Sequence, residues 1–131
     1  MATDSYSAST GGVRVSVRPH FSPDHSNIDM GVFVYVYTIT LLNEGTDTVQ
    51  LLTRHWTITD GLGQEEQVIG EGVVGQKPVL APGASFTYTS SCPLKTPSGS
   101  MKGRYQLRRS TNEIFDVTIP EFFLRDARLL N

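Results

Sequence analysis

A glycine run in the middle of the chain has the spacing of a nucleotide-binding motif. Gly70, Gly72 and Gly75 fit the Gly-x-Gly-x-x-Gly pattern, and Lys77 follows as a candidate cation. That pattern binds pyrophosphate when a strand leads into the glycine turn and a helix begins directly after it. Two prolines follow shortly after this run, and they oppose the required helix. The run is therefore expected to connect two strands, and an anion site on its backbone N–H groups is the alternative.

Histidine and aspartate residues cluster in the first predicted loop. The candidate ligands are His20, Asp24, His25 and Asp29. Imidazole and carboxylate groups suit cobalt, nickel or zinc, and carboxylates alone suit magnesium. Their spacing matches no defined metal-ligand motif, and the flanking prolines are typical of a solvated loop. We therefore expect no resident metal or other cofactor, and the four residues are weak metal candidates.

Residues suited to nucleophilic catalysis do not form a known pattern. Ser90, Ser91 and Cys92 are adjacent, but the sequence has no Gly-x-Ser-x-Gly elbow and no signalled pair of catalytic carboxylates. The sequence thus predicts a protein that is not an enzyme, with no catalytic residue. Arg54 and His55 directly precede the single tryptophan, and we expect them to form an interaction surface.

Composition excludes several classes of partner. The chain has 131 residues, enough for one domain, and a net charge of -2. Nucleic-acid binders usually carry a basic excess, so we expect no nucleic-acid partner. The longest apolar run is far shorter than the roughly 20 residues that span a bilayer, so we expect no membrane insertion. The N-terminus lacks the features of a secretory signal, which predicts a cytoplasmic location.

Alternating apolar residues predict strands along most of the chain. Residues 1–12 are rich in Ser, Thr and Gly and are expected to form a flexible tail, so that the folded domain spans residues 13–131. Val13, Val15 and Val17 then alternate with polar residues, which indicates a half-buried strand.

The longest strand signal covers residues 32–42. Its larger side chains fall on one face, which we expect to point inward: Phe33, Tyr35, Tyr37, Ile39 and Leu41.

The next predicted strand contains Trp56, and we expect the indole to lie in the core. Alternation places it on one face with Gln50, Leu52, Arg54 and Ile58. A hairpin turn is predicted directly afterwards.

Further strands follow, and Pro120 is expected to end the last clear one. About seven strands with regular turn signals and no helical period predict an all-β sandwich or barrel.

Six short runs, in order along the chain, carry a family resemblance. They are residues 51–56 (LLTRHW), 58–60 (ITD), 70–75 (GEGVVG), 86–90 (FTYTS), 99–103 (GSMKG) and 119–122 (IPEF). On these runs the chain resembles the bacterial ApaG family, from about residue 13 to the C-terminus. The resemblance implies a fibronectin type III/immunoglobulin-like β-sandwich of about seven or eight antiparallel strands. It also implies a role linked to cobalt resistance and magnesium efflux, and a domain that acts as a protein-binding module without established enzymatic activity.

These observations favour a non-enzymatic binding module that meets an unidentified protein partner through loops or a sheet edge. Such an edge would also permit a homodimer. A small-ligand binder is the alternative, taking a divalent metal or a pyrophosphate-containing nucleotide at the glycine loop of residues 70–75. The least favoured alternative is a hydrolase of such nucleotides, suggested by the family's association with dinucleotide tetraphosphate metabolism.

Overall fold

Two antiparallel sheets pack face to face in the structure, a computed structural model that describes residues 5–129. One sheet has the strand order β1-β2-β3-β7, and the other has the order β5-β4-β8-β9 with β6 paired to β4. The strands are β1 (Tyr6–Thr10), β2 (Val13–Phe21), β3 (Phe33–Asn43), β4 (Val49–Asp60), β5 (Glu65–Glu71), β6 (Val79–Leu80), β7 (Ser85–Leu94), β8 (Gly99–Arg109) and β9 (Ile114–Leu124). The predicted all-β sandwich is confirmed.

Short 3-10 helices complete the described chain at Pro23–His25, Ile28–Met30 and Ala127–Leu129. Within residues 5–129 no helix has the length and apolar content to cross a membrane.

Apolar side chains from both sheets meet in one core. The predicted inward face of β3 is confirmed, since Phe33, Tyr35, Tyr37, Ile39 and Leu41 are all buried. The valines at the start of β2 are buried as well, on the alternation that the sequence predicts. Both strands keep an uninterrupted period of two, because neither carries a bulge in its pairing with the other.

A bulge changes which face of β4 is buried. Trp56 is buried, as expected, and its ring contacts Tyr37, Tyr105 and Phe122 at centroid distances of 5.6, 6.4 and 5.9 Å. The register with β8 shifts at Leu52, however.

An extra residue reverses the alternation N-terminal to it. Val49 and Leu51 are therefore buried with Trp56, and the prediction that Gln50 and Leu52 share its face is wrong.

The N-terminal segment is ordered where the sequence predicts a tail. Tyr6–Thr10 forms β1 and pairs with β2, which corrects the prediction of a flexible segment over residues 1–12. Composition misses this strand because its stabilisation comes from the β2 ladder and from a ring contact between Tyr6 and Phe122 at 6.2 Å. Residues 1–4 lie outside the described part of the chain.

A second bulge carries β9 past Pro120, which was expected to end the strand. The register with β8 shifts between Met101 and Gly103, and β9 contributes the extra residue there. Proline is tolerated at a bulge because no ladder hydrogen bond needs its missing N–H. Phe122 and Leu124 consequently return to the core and are fully buried.

The two lateral sides of the sandwich differ. On one side β1 lies against β9, where the Thr118 amide donates to Thr10 Oγ1 at 3.3 Å and Arg109 donates to the Gly11 carbonyl at 3.0 Å. On the other side the edge strands β5 and β7 belong to different sheets and are not paired with each other. The sandwich is therefore closed along β1 and β9 and open along β5 and β7.

Candidate functional site

A groove of about 410 Å³ occupies the open side, between β5 and β7. Its floor comes from the inward face of β4, and its walls come from the two edge strands. Side chains that line it are aromatic, polar and charged, and include Tyr37, Arg54, Trp56, Glu66, Val68, Tyr88, Ser90 and Cys92. A cleft of this size with a few convergent polar groups is the usual form of a small binding site.

Arg54 is fixed at one end of the groove. Its Nη1 donates to the carbonyl oxygens of Glu71 and Gly72, both at 2.8 Å. The guanidinium lies against the backbone of Gly70, the residue that pairs with Arg54 across the β4–β5 ladder. A Cβ on Gly70 would come within 2.7 Å of Arg54 Nη2, so only glycine leaves room for the side chain in this position.

The glycine loop is a tight turn in which the N–H groups of Gly72, Val73 and Gln76 bond to the chain itself. Val73 and Gln76 exchange two backbone hydrogen bonds, at 2.8 and 2.9 Å, and the Gly72 amide donates to the Leu52 carbonyl at 2.9 Å. Val74 and Gly75 both have positive φ, as a type I′ turn requires. No helix follows this turn in the described residues, because the next regular element is the two-residue strand β6.

Lys77 does not lie free beside this loop. Its Nζ forms an ion pair with Glu71 at 3.3 Å, on the exposed side of the connection. The candidate anion site of Gly70, Gly72, Gly75 and Lys77 thus has the Gly72 amide and its cation already engaged. This geometry favours the expected strand connection over the nucleotide loop.

Arg54 and His55 do not form one surface. Neighbouring residues of a strand point to opposite faces, and only Arg54 lines the groove. The His55 ring bonds through Nε2 to Gln67 Oε1 at 2.6 Å on the outer face of the same sheet. The predicted pair is therefore divided between the groove and the outer surface.

The four metal candidates do not converge on one point. His20 lies on β2, Asp24 and His25 belong to the first 3-10 helix, and Asp29 belongs to the second. His25 Nδ1 hydrogen-bonds to the Ser22 hydroxyl at 2.7 Å. Among residues 5–129 no three His, Cys, Asp or Glu side chains are placed to hold a metal ion.

Buried phenols line the groove at Tyr37 and Tyr88, and Tyr105 lies behind them. The hydroxyls of Tyr88 and Tyr105 are 2.5 Å apart, and burial raises the pKa of both groups. Burial also raises the pKa of Tyr37, although the hydroxyl of Ser90 opposes this shift. These phenols are therefore neutral at physiological pH and act as hydrogen-bonding groups.

Cys92 is a buried thiol on the wall of the groove. Burial, aided by the negative charge of Glu66, raises its pKa to about 11. A thiol is a weak nucleophile while it stays protonated, so Cys92 contributes packing here rather than reactivity.

Sequence patterns could not identify the groove as a site. Tyr37, Tyr88 and Ser90 have the inward alternation of ordinary core residues on their strands. They meet a cavity only because β7 and β5 are both edge strands and face each other. The one usable signal is the charged Arg54 on the same predicted face as Trp56.

Comparisons with known proteins agree with the fold and with the resemblance. The family model of the ApaG domain matches residues 23–109. The chain is 49% identical to Protein ApaG of Bradyrhizobium sp. (strain ORS 278) over 119 residues, covering 91% of this chain and 92% of the relative. It is 50% identical to Protein ApaG of Afipia carboxidovorans, again over 119 residues and with coverage of 91% and 92%.

A solved structure shows the same architecture. The crystal structure of the putative ApaA protein from Bordetella pertussis superposes with a TM-score of 0.86 at 44% identity, covering 88% of this chain and 94% of that chain. On the strength of the domain match, the relatives and this structure, the chain belongs to the ApaG family.

Proposed function

We propose that this chain is a non-enzymatic, protein-binding module that holds an extended segment of its partner along the edge of β7. The observation that carries the proposal is the composition of this edge. β7 has ten residues, none of them charged, and one flank of it pairs with no strand in the described chain. Unprotected edges of this length are templates for strand addition.

Other long edges of the sandwich are protected. β5 carries three glutamates along its seven residues, and β9 carries Asp116, Glu121 and the bulge at Pro120. Charges, prolines and bulges are the features by which sheet edges avoid unwanted pairing. Their absence along most of β7 therefore favours a strand that is kept available for a partner.

Hydrogen-bond alternation identifies the donors that β7 offers. The Ser22 amide donates to the Val34 carbonyl. The backbone N–H and C=O groups of even-numbered β3 residues therefore point towards β2, and those of odd-numbered residues point towards β7. The β3–β7 register pairs odd with even, which leaves the backbone groups of Thr87, Thr89 and Ser91 on the open flank. Pro93 follows at the same parity, where its missing N–H costs no ladder bond.

In the cell this binding would serve divalent-cation homeostasis. The family's link to cobalt resistance and magnesium efflux supports that role, and we place the protein in the cytoplasm. The mechanism is recognition of a partner protein without a chemical reaction. A nucleotide- or metal-binding function has less support, because the glycine loop bonds to itself and the His and Asp candidates do not converge.

The test is a proline substitution on the open flank. Thr89→Pro removes an N–H that faces the partner and leaves the β3 ladder intact, whereas Thr89→Val keeps that N–H and removes only the hydroxyl bond to Thr38 at 3.1 Å. Each variant is expressed in a bacterial strain that lacks its own ApaG protein, and growth is measured across cobalt concentrations. Circular dichroism is used to check that both variants fold.

We expect wild type and Thr89→Val to restore cobalt tolerance and Thr89→Pro to fail. A folded Thr89→Pro that restores full tolerance would overturn strand addition at β7. Failure of the wild-type protein to change cobalt tolerance would overturn the cation-homeostasis role.

A further inference from the structure

The groove beside β7 has two unlike ends, and these ends specify a partner sequence. We propose that the bound segment carries an acidic, an apolar and a basic side chain at alternate positions, and that Arg54, the Trp56–Val68 pair and Glu66 receive them in that order. This inference rests on the proposed strand addition at β7 and adds the chemistry of the partner.

Arg54 provides the positive end. The side chain is half-buried, and only its Nη1 appears in the two hydrogen bonds to carbonyl oxygens. No carboxylate of residues 5–129 lies within 4.0 Å of the guanidinium. Arginine binds carboxylates with paired donors in a planar fork, and contact with the Gly70 backbone orients that fork beforehand.

The middle of the groove is apolar. Trp56 and Val68 are cross-strand partners and both line the groove, with Cys92 on the facing wall. The neutral thiol adds no charge there. An aliphatic side chain is the group that such a surface accepts at the lowest desolvation cost.

Glu66 provides the negative end. It is exposed, it lines the groove, and it pairs with Ile58 across the β4–β5 ladder. Ile58 lies four residues beyond Arg54 on β4, which corresponds to about 13 Å at roughly 3.2–3.4 Å per residue. No ion pair of Glu66 is found among the described residues.

A strand added to β7 matches this spacing. It would extend the first sheet across the mouth of the groove, and every second side chain would point into it. Inward side chains at the first, third and fifth positions span the same distance of about 13 Å. The carboxylate of Glu66 disfavours a phosphate-bearing occupant, because a dianion would meet a like charge in the same groove.

The experiment uses synthetic heptapeptides and the fluorescence of Trp56, the single tryptophan. One peptide has Glu, Val and Lys at its second, fourth and sixth positions with threonine elsewhere, and a second has the reverse sequence, so that both strand directions are tested. A control peptide has the same composition with Glu moved by one position, which places the carboxylate on the opposite face of the strand. A fourth peptide replaces Glu by Gln.

We expect one of the two directions to bind, the control to bind at least tenfold more weakly, and Arg54→Met to lower the affinity about tenfold or more. Wild type and Arg54→Met should bind the Gln peptide with equal affinity. Lys77→Met is the matched control, since it removes a positive charge outside the groove, and it should change nothing. Gly70→Ala keeps the charge of Arg54 but displaces its guanidinium, and it should weaken the Glu peptide alone.

Each result separates the two proposals. Equal binding of the Glu and Gln peptides, or no binding of either direction, overturns this inference, while the cobalt-tolerance test of Thr89→Pro decides strand addition on its own. Peptide binding that persists in Thr89→Pro but is lost in Arg54→Met would mean that the segment lies in the groove without pairing with β7. That result would overturn the assignment of the three side chains to alternate positions.

Discussion

At the scale of single residues, the glycine run shows how one pattern can arise from unrelated causes. Gly70 leaves room for Arg54, Gly72 approaches the Gln76 carbonyl too closely for a side chain, and Gly75 completes a type I′ turn. The sequence predicts a strand connection correctly, because the prolines that follow exclude a helix. It could not predict the contact of Arg54 with Gly70, since that contact depends on the register of two strands.

Two glycines of this run should differ in their sensitivity to substitution. Both have positive φ, but a Cβ at Gly72 would also overlap the Gln76 carbonyl oxygen, whereas Gly75 has nothing within 4 Å. Gly75→Ala should cost about 1–2 kcal/mol of unfolding free energy from the left-handed backbone alone. Gly72→Ala should cost clearly more. Urea denaturation followed by circular dichroism measures both, and equal losses would contradict the crowding at Gly72.

At the scale of elements, the accuracy of sequence-based prediction followed the regularity of each strand. β2 and β3 keep a period of two, and their inward residues are those that alternation predicts. β4 and β9 contain bulges at Leu52 and beside Pro120, and there the predicted face or end is wrong. A bulge is fixed by the partner strand, so a single strand's pattern does not reveal it.

β1 provides a test of the corrected N-terminus. Tyr6 is half-buried and packs on Phe122, which is fully buried. Tyr6→Ala should lower the free energy of unfolding by about 1–2 kcal/mol, because it removes a partly buried aromatic surface. The neighbouring exposed Ser7→Ala is the control and should have an effect near zero. If the two variants melt at the same temperature, β1 does not contribute to the core.

At the scale of the whole molecule, the fold could be predicted from strand count and resemblance, but the groove could not. Its lining comes from β3, β4, β5, β7 and β8, so it exists only after both sheets have packed. The same packing buries four of the five tyrosines: Tyr35, Tyr37, Tyr88 and Tyr105. Burial raises the pKa of all four phenols, that of Tyr35 to about 12, with the charge of Asp126 adding to the Tyr35 shift.

Because the pKa values of these phenols are raised, we expect the protein to lose stability at alkaline pH. An unfolded tyrosine has a pKa of about 10, so above that pH the unfolded chain releases phenolic protons that the folded chain still holds. The contribution of these phenols to the free energy of unfolding is therefore undiminished below about pH 10 and is lost as the pH rises towards 12. Urea midpoints measured across this pH range give the slope of stability against pH, and Tyr35→Phe should make that slope shallower. A midpoint that is constant between these pH values would contradict the burial of the phenols.

The distance between β3 and β7 along the chain delays their pairing during synthesis. Asn43 ends β3 and Ser85 begins β7, so 42 residues (85 − 43) must be added before pairing can start. Ribosomes add about 5–20 residues per second, which makes the interval about 2–8 s. During that time the flank of β3 that later binds β7 has no partner from its own chain. Each new molecule therefore passes through a stage of several seconds in which this flank of β3 is an unpaired strand edge.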